Sequence, residues 1–185
     1  GDIYKECGQL IALIDDIMKL SRLDEAAENE VAPESVDLYD LSQDILESLQ
    51  PAAAKRSVSL HLEGEKQTIL GVWRILHEMV YNLCDNAIKY NKDGGSVTVQ
   101  VTGEAERVTL AVKDTGIGIP KGQQDRVFER FYRVDKSHSR RVGGTGLGLS
   151  IVKHGAQYHN ALISLESEPD VGTTIAIVFP RNMRP

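Results

Sequence analysis

The chain has 185 residues, 41% of them hydrophobic and 26% charged, with a formal net charge of −6. That length fits one core domain plus an appendage, and no apolar run approaches the roughly 20 residues needed to span a bilayer. The acidic balance argues against nucleic acid as a partner, which would call for a basic face. Cys7 and Cys84 are too few and too far apart for a disulfide framework or a zinc site; both read as small apolar residues in a reducing compartment. The N-terminus lacks both a basic-then-apolar leader pattern and an initiating Met. The expectation is a cytoplasmic fragment of a longer chain, not itself membrane-bound.

Ile3, Cys7, Leu10, Ile14 and Ile17 recur at spacings of four and three, widened by Leu13 and Leu20. This predicts an amphipathic helix with a near-heptad seam, ending near Asp24, that needs a partner helix. Residues 26–35 are small and acidic and include Pro33, and read as a linker. Asp37 is placed to cap a second helix carrying Leu38, Leu41, Ile45 and Leu49. Residues 57–62 alternate like a half-buried strand. A long helix is expected over 72–90, followed by a turn at 91–95. Val97, Val99 and Val101, then Val108, Leu110 and Val112, predict a hairpin whose second strand delivers Asp114. Residues 120–145 read as a long polar loop with a short helical patch near Phe128, and a loop of that length is usually functional. A helix over 146–158 and two strands over 161–166 and 173–179 close the chain. The sum is a mixed sheet covered on one face by three helices, an α/β sandwich.

Three stretches carry chemistry. In the first, Asn82, Asn86 and Lys89 fall at i, i+4 and i+7 and share a helix face with Glu78. Amide oxygens at that spacing suit Mg²⁺, a cation often held through substrate phosphates, and Lys89 can meet phosphate as a point charge. A solvated helix face would carry the same residue types. In the second, Asp114 leaves a strand ahead of Gly116 and Gly118. A carboxylate there can accept a hydrogen bond from an adenine amine while glycine lets backbone approach the base; an ordinary glycine-rich turn is the alternative. In the third, Gly143, Gly144, Gly146 and Gly148 precede an apolar helix and could wrap phosphates against its N-terminus. The spacing is neither a dinucleotide fingerprint nor a P-loop, and a flexible hinge would look alike. Between the second and third stretches, residues 120–145 hold seven basic side chains against three acidic ones. A mobile basic loop of this kind could close over an anion.

In this order the stretches resemble the ATP-binding fold shared by gyrase-type ATPases, heat-shock chaperones, mismatch-repair ATPases and histidine kinases. The histidine-kinase branch fits best. Residues 82–90 resemble its N box, 114–119 its first glycine box, Phe128-Glu129-Arg130-Phe131-Tyr132-Arg133 its F box, 144–149 its second glycine box, and Gly172-Thr173-Thr174 a late turn of the family. Residues 14–24 resemble the end of a second dimerisation helix.

The resemblance implies an α+β fold, a two-layer α/β sandwich of the Bergerat type preceded by an amphipathic dimerisation helix. The implied organisation is helix over 1–26, linker over 27–36 and ATP-binding domain over 37–182. It implies ATP and Mg²⁺ as ligands. The metal would fall to Asn86 and Asn82, and the nucleotide to Asn86, Lys89, Tyr90, Asp114, Gly116, Gly118, Gly144, Thr145, Gly146, Leu147, Gly148 and Thr173. Phosphoryl transfer would involve Asn82, Lys89 and Arg133.

In the ATPases of the superfamily a glutamate that activates water stands four residues before the metal-binding Asn. Here that position is Asn82, which is no general base. ATP is therefore expected to bind without efficient hydrolysis. No His followed by an acidic residue and an Arg-x-Pro-type stretch occurs, so the phosphoacceptor helix is expected outside this chain. The implied partners are a second copy in the full-length protein and a response-regulator receiver domain, with the parent anchored in the cell membrane. A serine kinase of the anti-sigma type and a non-catalytic nucleotide-binding or dimerisation module are the competing readings.

Overall fold

The computed structural model describes residues 2–28, 31–134 and 144–182. Helix α1 (Asp2–Glu28) opens the chain and runs one turn beyond its expected end. The end of the expected linker is in fact a strand. β1 (Glu34–Asp37) pairs antiparallel with β3 (Thr68–Gly71), with Val36 opposite Ile69 and both side chains buried. Four residues each are too few to show a period, and their partners lie more than 30 positions apart.

Asp37 ends β1 and caps α2 (Leu38–Ala54), its Oδ1 accepting from the backbone N–H groups of Tyr39 at 2.9 Å and Asp40 at 3.1 Å. Those amides have no partner within the helix, which is why a carboxylate is favoured there. Leu38, Leu41, Ile45 and Leu49 all turn inward as their spacing requires. β2 (Ser59–Gly64) begins two residues later than expected, after Ser57 makes a left-handed turn at φ 54. Then come α3 (Trp73–Lys89), β4 (Ser96–Gly103), β5 (Arg107–Asp114), α4 (Gly148–Tyr158), β6 (Leu162–Glu168) and β7 (Gly172–Pro180). The helical patch expected near Phe128 is a run of turns after a short 3₁₀ turn, Lys121–Gln123.

The main sheet has the order β2-β4-β5-β7-β6, with β2 parallel to β4 and the other pairs antiparallel. Its register stacks apolar partners on one face. Val99 lies opposite Val112, Val101 opposite Leu110, Val112 opposite Ile175, Leu110 opposite Ile177 and Val108 opposite Phe179. The alternate positions carry Thr98, Gln100, Thr109 and Lys113. One face is therefore dry and covered by α2, α3 and α4, and the other stays polar.

Helices α3 and α4 meet where Gly155 faces Met79; a Cβ at Gly155 would lie 2.5 Å from the Met79 sulfur. Below that contact His159 joins the helix ends. The Val72 N–H at the start of α3 donates to His159 Nε2 at 3.1 Å, and Nδ1 donates to the Gly155 carbonyl at 2.8 Å. This fixes the neutral Nδ1–H tautomer, and burial pushes the imidazole below its ordinary pKa.

Candidate functional site

A pocket of about 360 Å³ opens between α3, the carboxyl end of β5, the loop before α4, and α1. Its lining includes Asn82, Asn86, Lys89, Tyr90, Arg133, Asp114, Gly118, Gly144, Thr145, Gly146, Gly148 and Thr173. Residues from five separate segments of the sequence thus converge on one cavity. Gly116 and Leu147 do not line it. Gly116 serves one step back, its N–H donating to Asp114 Oδ1 at 2.8 Å. Leu147 is fully buried in the core, so its side chain anchors the loop instead of facing a ligand. Residues 135–143, which contain Lys136, His138, Arg140, Arg141 and Gly143 of the expected basic loop, lie outside the described residues.

Asp114 closes one end. Sheet register sets it opposite Val97 on one side and Thr173 on the other. Its Oδ1 accepts from Gly116 N–H and, at 3.2 Å, from Thr173 N–H, which leaves the second oxygen for a ligand donor. Desolvation pushes the carboxyl up to about 6 from 3.8, against the downward pull of those two backbone N–H groups. The turn behind it is pinned by Asn91, which donates to Ser96 O at 2.9 Å, and by Thr115, whose hydroxyl accepts from Ser96 N–H at 2.9 Å. Gly118 adopts φ +68, and a Cβ there would lie 2.1 Å from the Glu168 carbonyl oxygen, so no side chain fits. Between Asp114 and the far end, Val112, Ile117, Ile119, Val127 and Ile175 make an apolar wall, suited to a flat heterocycle.

The far end is polar. The Asn82 amide N–H donates to the Glu78 carbonyl at 2.7 Å. Its Oδ1 is thereby turned toward Gly148, where a Cβ would sit 3.1 Å from that oxygen and 3.4 Å from the Asn86 amide nitrogen. A side chain at Gly148 would crowd both asparagines, so glycine lets the loop lie against them without displacing either. Lys89 pairs with Asp85 at 2.6 Å on its own helix. Arg133 is different. Among the described residues its Nε and Nη2 atoms are buried with no hydrogen-bond partner, a state that a buried guanidinium holds only at a price unless an anion completes it. Gly146, at φ +78, bends the loop so closely over Phe131 that a Cβ would meet its backbone at 2.9 Å.

Sequence patterns did not reveal that α1 reaches this pocket. Ala12, Asp15, Asp16 and Lys19 all line it; their i, i+3, i+4, i+7 spacing was the available signal, but it reads equally as a solvated flank of the seam. Tyr81, Asp85, Tyr132 and Val134 were also missed. Cys84 is buried off the site, its thiol pushed up to about 12 by desolvation, and is chemically quiet.

An open sheet backed by three helices, with a carboxylate at a strand end facing paired asparagines and a glycine loop, defines a nucleotide-binding α/β sandwich. The chain belongs to the family described as histidine kinase-, DNA gyrase B-, and HSP90-like ATPases, whose model matches residues 71–183. It is 38% identical over 176 residues to the sensor-like histidine kinase SenX3 of Mycolicibacterium smegmatis, covering 95% of this chain and 46% of that protein. Against the sensor histidine kinase WalK of Bacillus subtilis it is 33% identical, covering 95% of this chain and 29% of the relative. The chain thus spans less than half the length of these relatives.

Among solved structures, the mycobacterial sensor histidine kinase MprB superposes with a TM-score of 0.71 at 29% identity, covering 83% of this chain and all of that one. Full-length ShkA, solved in complex with AMPPNP, superposes with a TM-score of 0.80 at 26% identity, covering 96% of this chain and 37% of that one. The expected α+β fold with its preceding helix is that of histidine-kinase catalytic domains. No helix among the described residues is long and apolar enough to cross a membrane.

Proposed function

We propose that this chain binds Mg²⁺–ATP and supplies the γ-phosphoryl group to a histidine on a dimerisation helix of a sensor histidine kinase. The observation that carries the reading is the polarity of the pocket. A carboxylate with one free oxygen stands at one end, an apolar wall follows, and amide oxygens with an unpartnered guanidinium stand at the other. Adenine, with an amine donor on a flat apolar ring, matches the first two, and a triphosphate matches the last.

Asp114 accepts the adenine amine; guanine would present a carbonyl there and be refused. Asn86, with Asn82 beside it, would hold Mg²⁺ through amide oxygens, and the bound ion would neutralise phosphate charge. Arg133 completes its hydrogen bonds on the terminal phosphates, with Lys89 reaching them once it leaves Asp85. Gly144, Thr145, Gly146 and Gly148 bring the start of α4 against the same group. The chain's role is to hold the γ-phosphorus in line with an incoming imidazole nitrogen. The new bond is phosphorus to nitrogen, and the bridging oxygen leaves with ADP. Asn82 accepts no proton from water, which favours transfer over hydrolysis.

The parent is proposed to be a homodimer, anchored in the cell membrane, that passes its phosphoryl group to a response-regulator receiver domain. The names of the relatives support this reading over a serine kinase of the same fold. Among the described histidines, His61 lies in β2, His77 lies between the Trp73 and Tyr81 rings, His154 pairs with Asp24, and His159 is buried. His61 is exposed but sits in a strand, and none of the four has the helix setting and following Arg-x-Pro-type stretch expected of the acceptor. Incubation with γ-labelled ATP should leave the chain unlabelled while labelling a separately supplied dimerisation domain that bears an acceptor histidine. Acid-labile label on the chain itself would overturn the assignment of roles.

A further inference from the structure

Ser167 and Thr173 stand opposite each other on β6 and β7. The alternation along each strand turns both to the helix-covered side, Ser167 with Leu165 and Thr173 with Ile175. Thr173 lines the pocket; Ser167 stands behind it. Their hydroxyl oxygens are 2.7 Å apart, and either can donate. Ser167 Oγ also accepts the Ile119 N–H at 2.8 Å and reaches the Gly172 carbonyl at 3.1 Å. Gln124 pins this corner, its side-chain amide donating to the carbonyls of Ile119 at 2.9 Å and Ser167 at 3.0 Å. The oxygens are thus held in place, while the two hydroxyl protons can turn.

The Ser167 hydroxyl has one proton and two lone pairs for three neighbours. In one arrangement it donates to Gly172 and accepts from Ile119 and Thr173. The Thr173 proton is then spent, and Thr173 offers the pocket a lone pair. In the other arrangement Ser167 donates to Thr173, and Thr173 offers the pocket its proton. We propose that Ser167 is a positioning residue that makes Thr173 a reversible reader of the base, so that the ring nitrogen beside the amine is tolerated and not selected. The inference rests on the reading of the pocket as an ATP site. With the ribose toward the phosphate end, the base edge that gives its amine to Asp114 also carries N1. That edge lies beside Thr173, whose N–H holds the same carboxylate. Adenine N1 accepts, so Thr173 donates to it and Ser167 donates to Thr173, a chain in which each bond polarises the next. A ring without that acceptor costs little, because the Thr173 proton returns to Ser167 and the Ser167 proton to Gly172. Neither hydroxyl is left unpaired, and discrimination between bases falls to Asp114.

The test measures, by calorimetry, the affinity gap between ATP and 1-deaza-ATP, in which a C–H replaces N1. The unaltered chain should bind the two within about threefold of each other. In Ser167→Ala the Thr173 proton has no home but the ligand, so the gap should widen to about tenfold. A merely structural loss, such as a loosened Ile119, would weaken both nucleotides alike and leave the gap unchanged. Ser167→Cys, whose thiol accepts weakly, should give an intermediate gap, and carries the comparison if the alanine variant does not fold. Adding Thr173→Val to Ser167→Ala should close the gap again, because the proton in question is gone. A gap of tenfold or more already present in the unaltered chain, a gap that widens in neither Ser167 variant, or one that persists without the Thr173 hydroxyl would overturn the role of Ser167 while leaving the ATP site intact. Failure of the unaltered chain to bind ATP would overturn the site reading and this inference together.

Discussion

At the base end of the pocket Asp114 is fixed by sheet register and two backbone N–H groups, and the turn behind it is tied by Asn91 and Thr115. At the phosphate end the polar groups have provisional partners or none. Lys89 rests on Asp85, Thr145 on Asp16, and Nε and Nη2 of Arg133 on nothing among the described residues. The base end is finished before a ligand arrives; the phosphate end is completed by one. The first arrangement suits selection among bases, because a preorganised acceptor loses little on binding and penalises the wrong donor pattern. The second suits a reactive group that must be admitted, held and released.

The largest expected effect falls on the finished end. Asp114→Asn keeps an oxygen for Gly116 and Thr173 but replaces the free acceptor with an amide. It should weaken ATP by about tenfold to a hundredfold, the value of a charge-assisted hydrogen bond of about 1.5–3 kcal/mol, and should blunt the preference for ATP over GTP. Equal affinity for the two nucleotides in the unaltered protein would remove Asp114 from this role.

The same variant should stabilise the empty fold. Because burial raises the folded pKa to about 6, the contribution of Asp114 to stability is full below its ordinary 3.8 and is lost as pH rises through about 6. Near neutral pH the ionised group therefore costs about 1–3 kcal/mol, which Asn avoids; thermal unfolding of the two empty proteins would show it. ATP reverses the preference, since the adenine amine favours the ionised carboxylate. Affinity should hold above pH 6 and fall about tenfold by one pH unit below it, a slope that Asp114→Asn should abolish.

How much of this was legible beforehand depended on the length of each signal. The β4–β5 hairpin announced itself through six apolar residues at period two, and Asp114 was placed at its end for the same reason. The Asp37 cap followed from a single residue because capping is a local interaction. β1 and β3 carried no such signal, since their pairing is decided by contacts between Val36 and Ile69 far apart in the chain. Leu147, flanked by glycines, looked like part of the ligand surface, yet its apolar side chain is worth more in the core. Asp15 and Asp16 read as solvated flank because nothing local distinguishes a carboxylate facing water from one facing another element. The unpartnered nitrogens of Arg133 belong to the same class, visible only once neighbours are in place.

A middling effect is expected at the metal position. Asn86→Ala removes one amide oxygen from the partly exposed face of α3, so the fold should change by no more than about 0.5 kcal/mol. ATP affinity measured with Mg²⁺ should fall about threefold to tenfold, whereas ATP without the metal, and adenosine, should bind as before. If Mg²⁺ strengthens ATP binding equally in both proteins, the oxygen ligand lies elsewhere.

The smallest effect sharpens the contrast most. Lys89 and Asp85 sit four residues apart on α3 with both side chains partly exposed, a pairing worth about 0.3–0.5 kcal/mol to the helix. Lys89→Met should therefore hardly move the unfolding midpoint. Its effect on ATP should be larger than its effect on stability, because it removes a cation from the phosphate end and leaves Asp85, which also lines the pocket, unpaired. The loss should be about threefold to tenfold. Asp85→Asn added to Lys89→Met should recover part of it by removing the stranded charge, although no cation has been restored. A double-mutant cycle on ATP affinity reads that coupling directly. If the two changes are simply additive, Lys89 and Asp85 are independent contributors, and the provisional pairing that distinguishes this end from the Asp114 end does not exist.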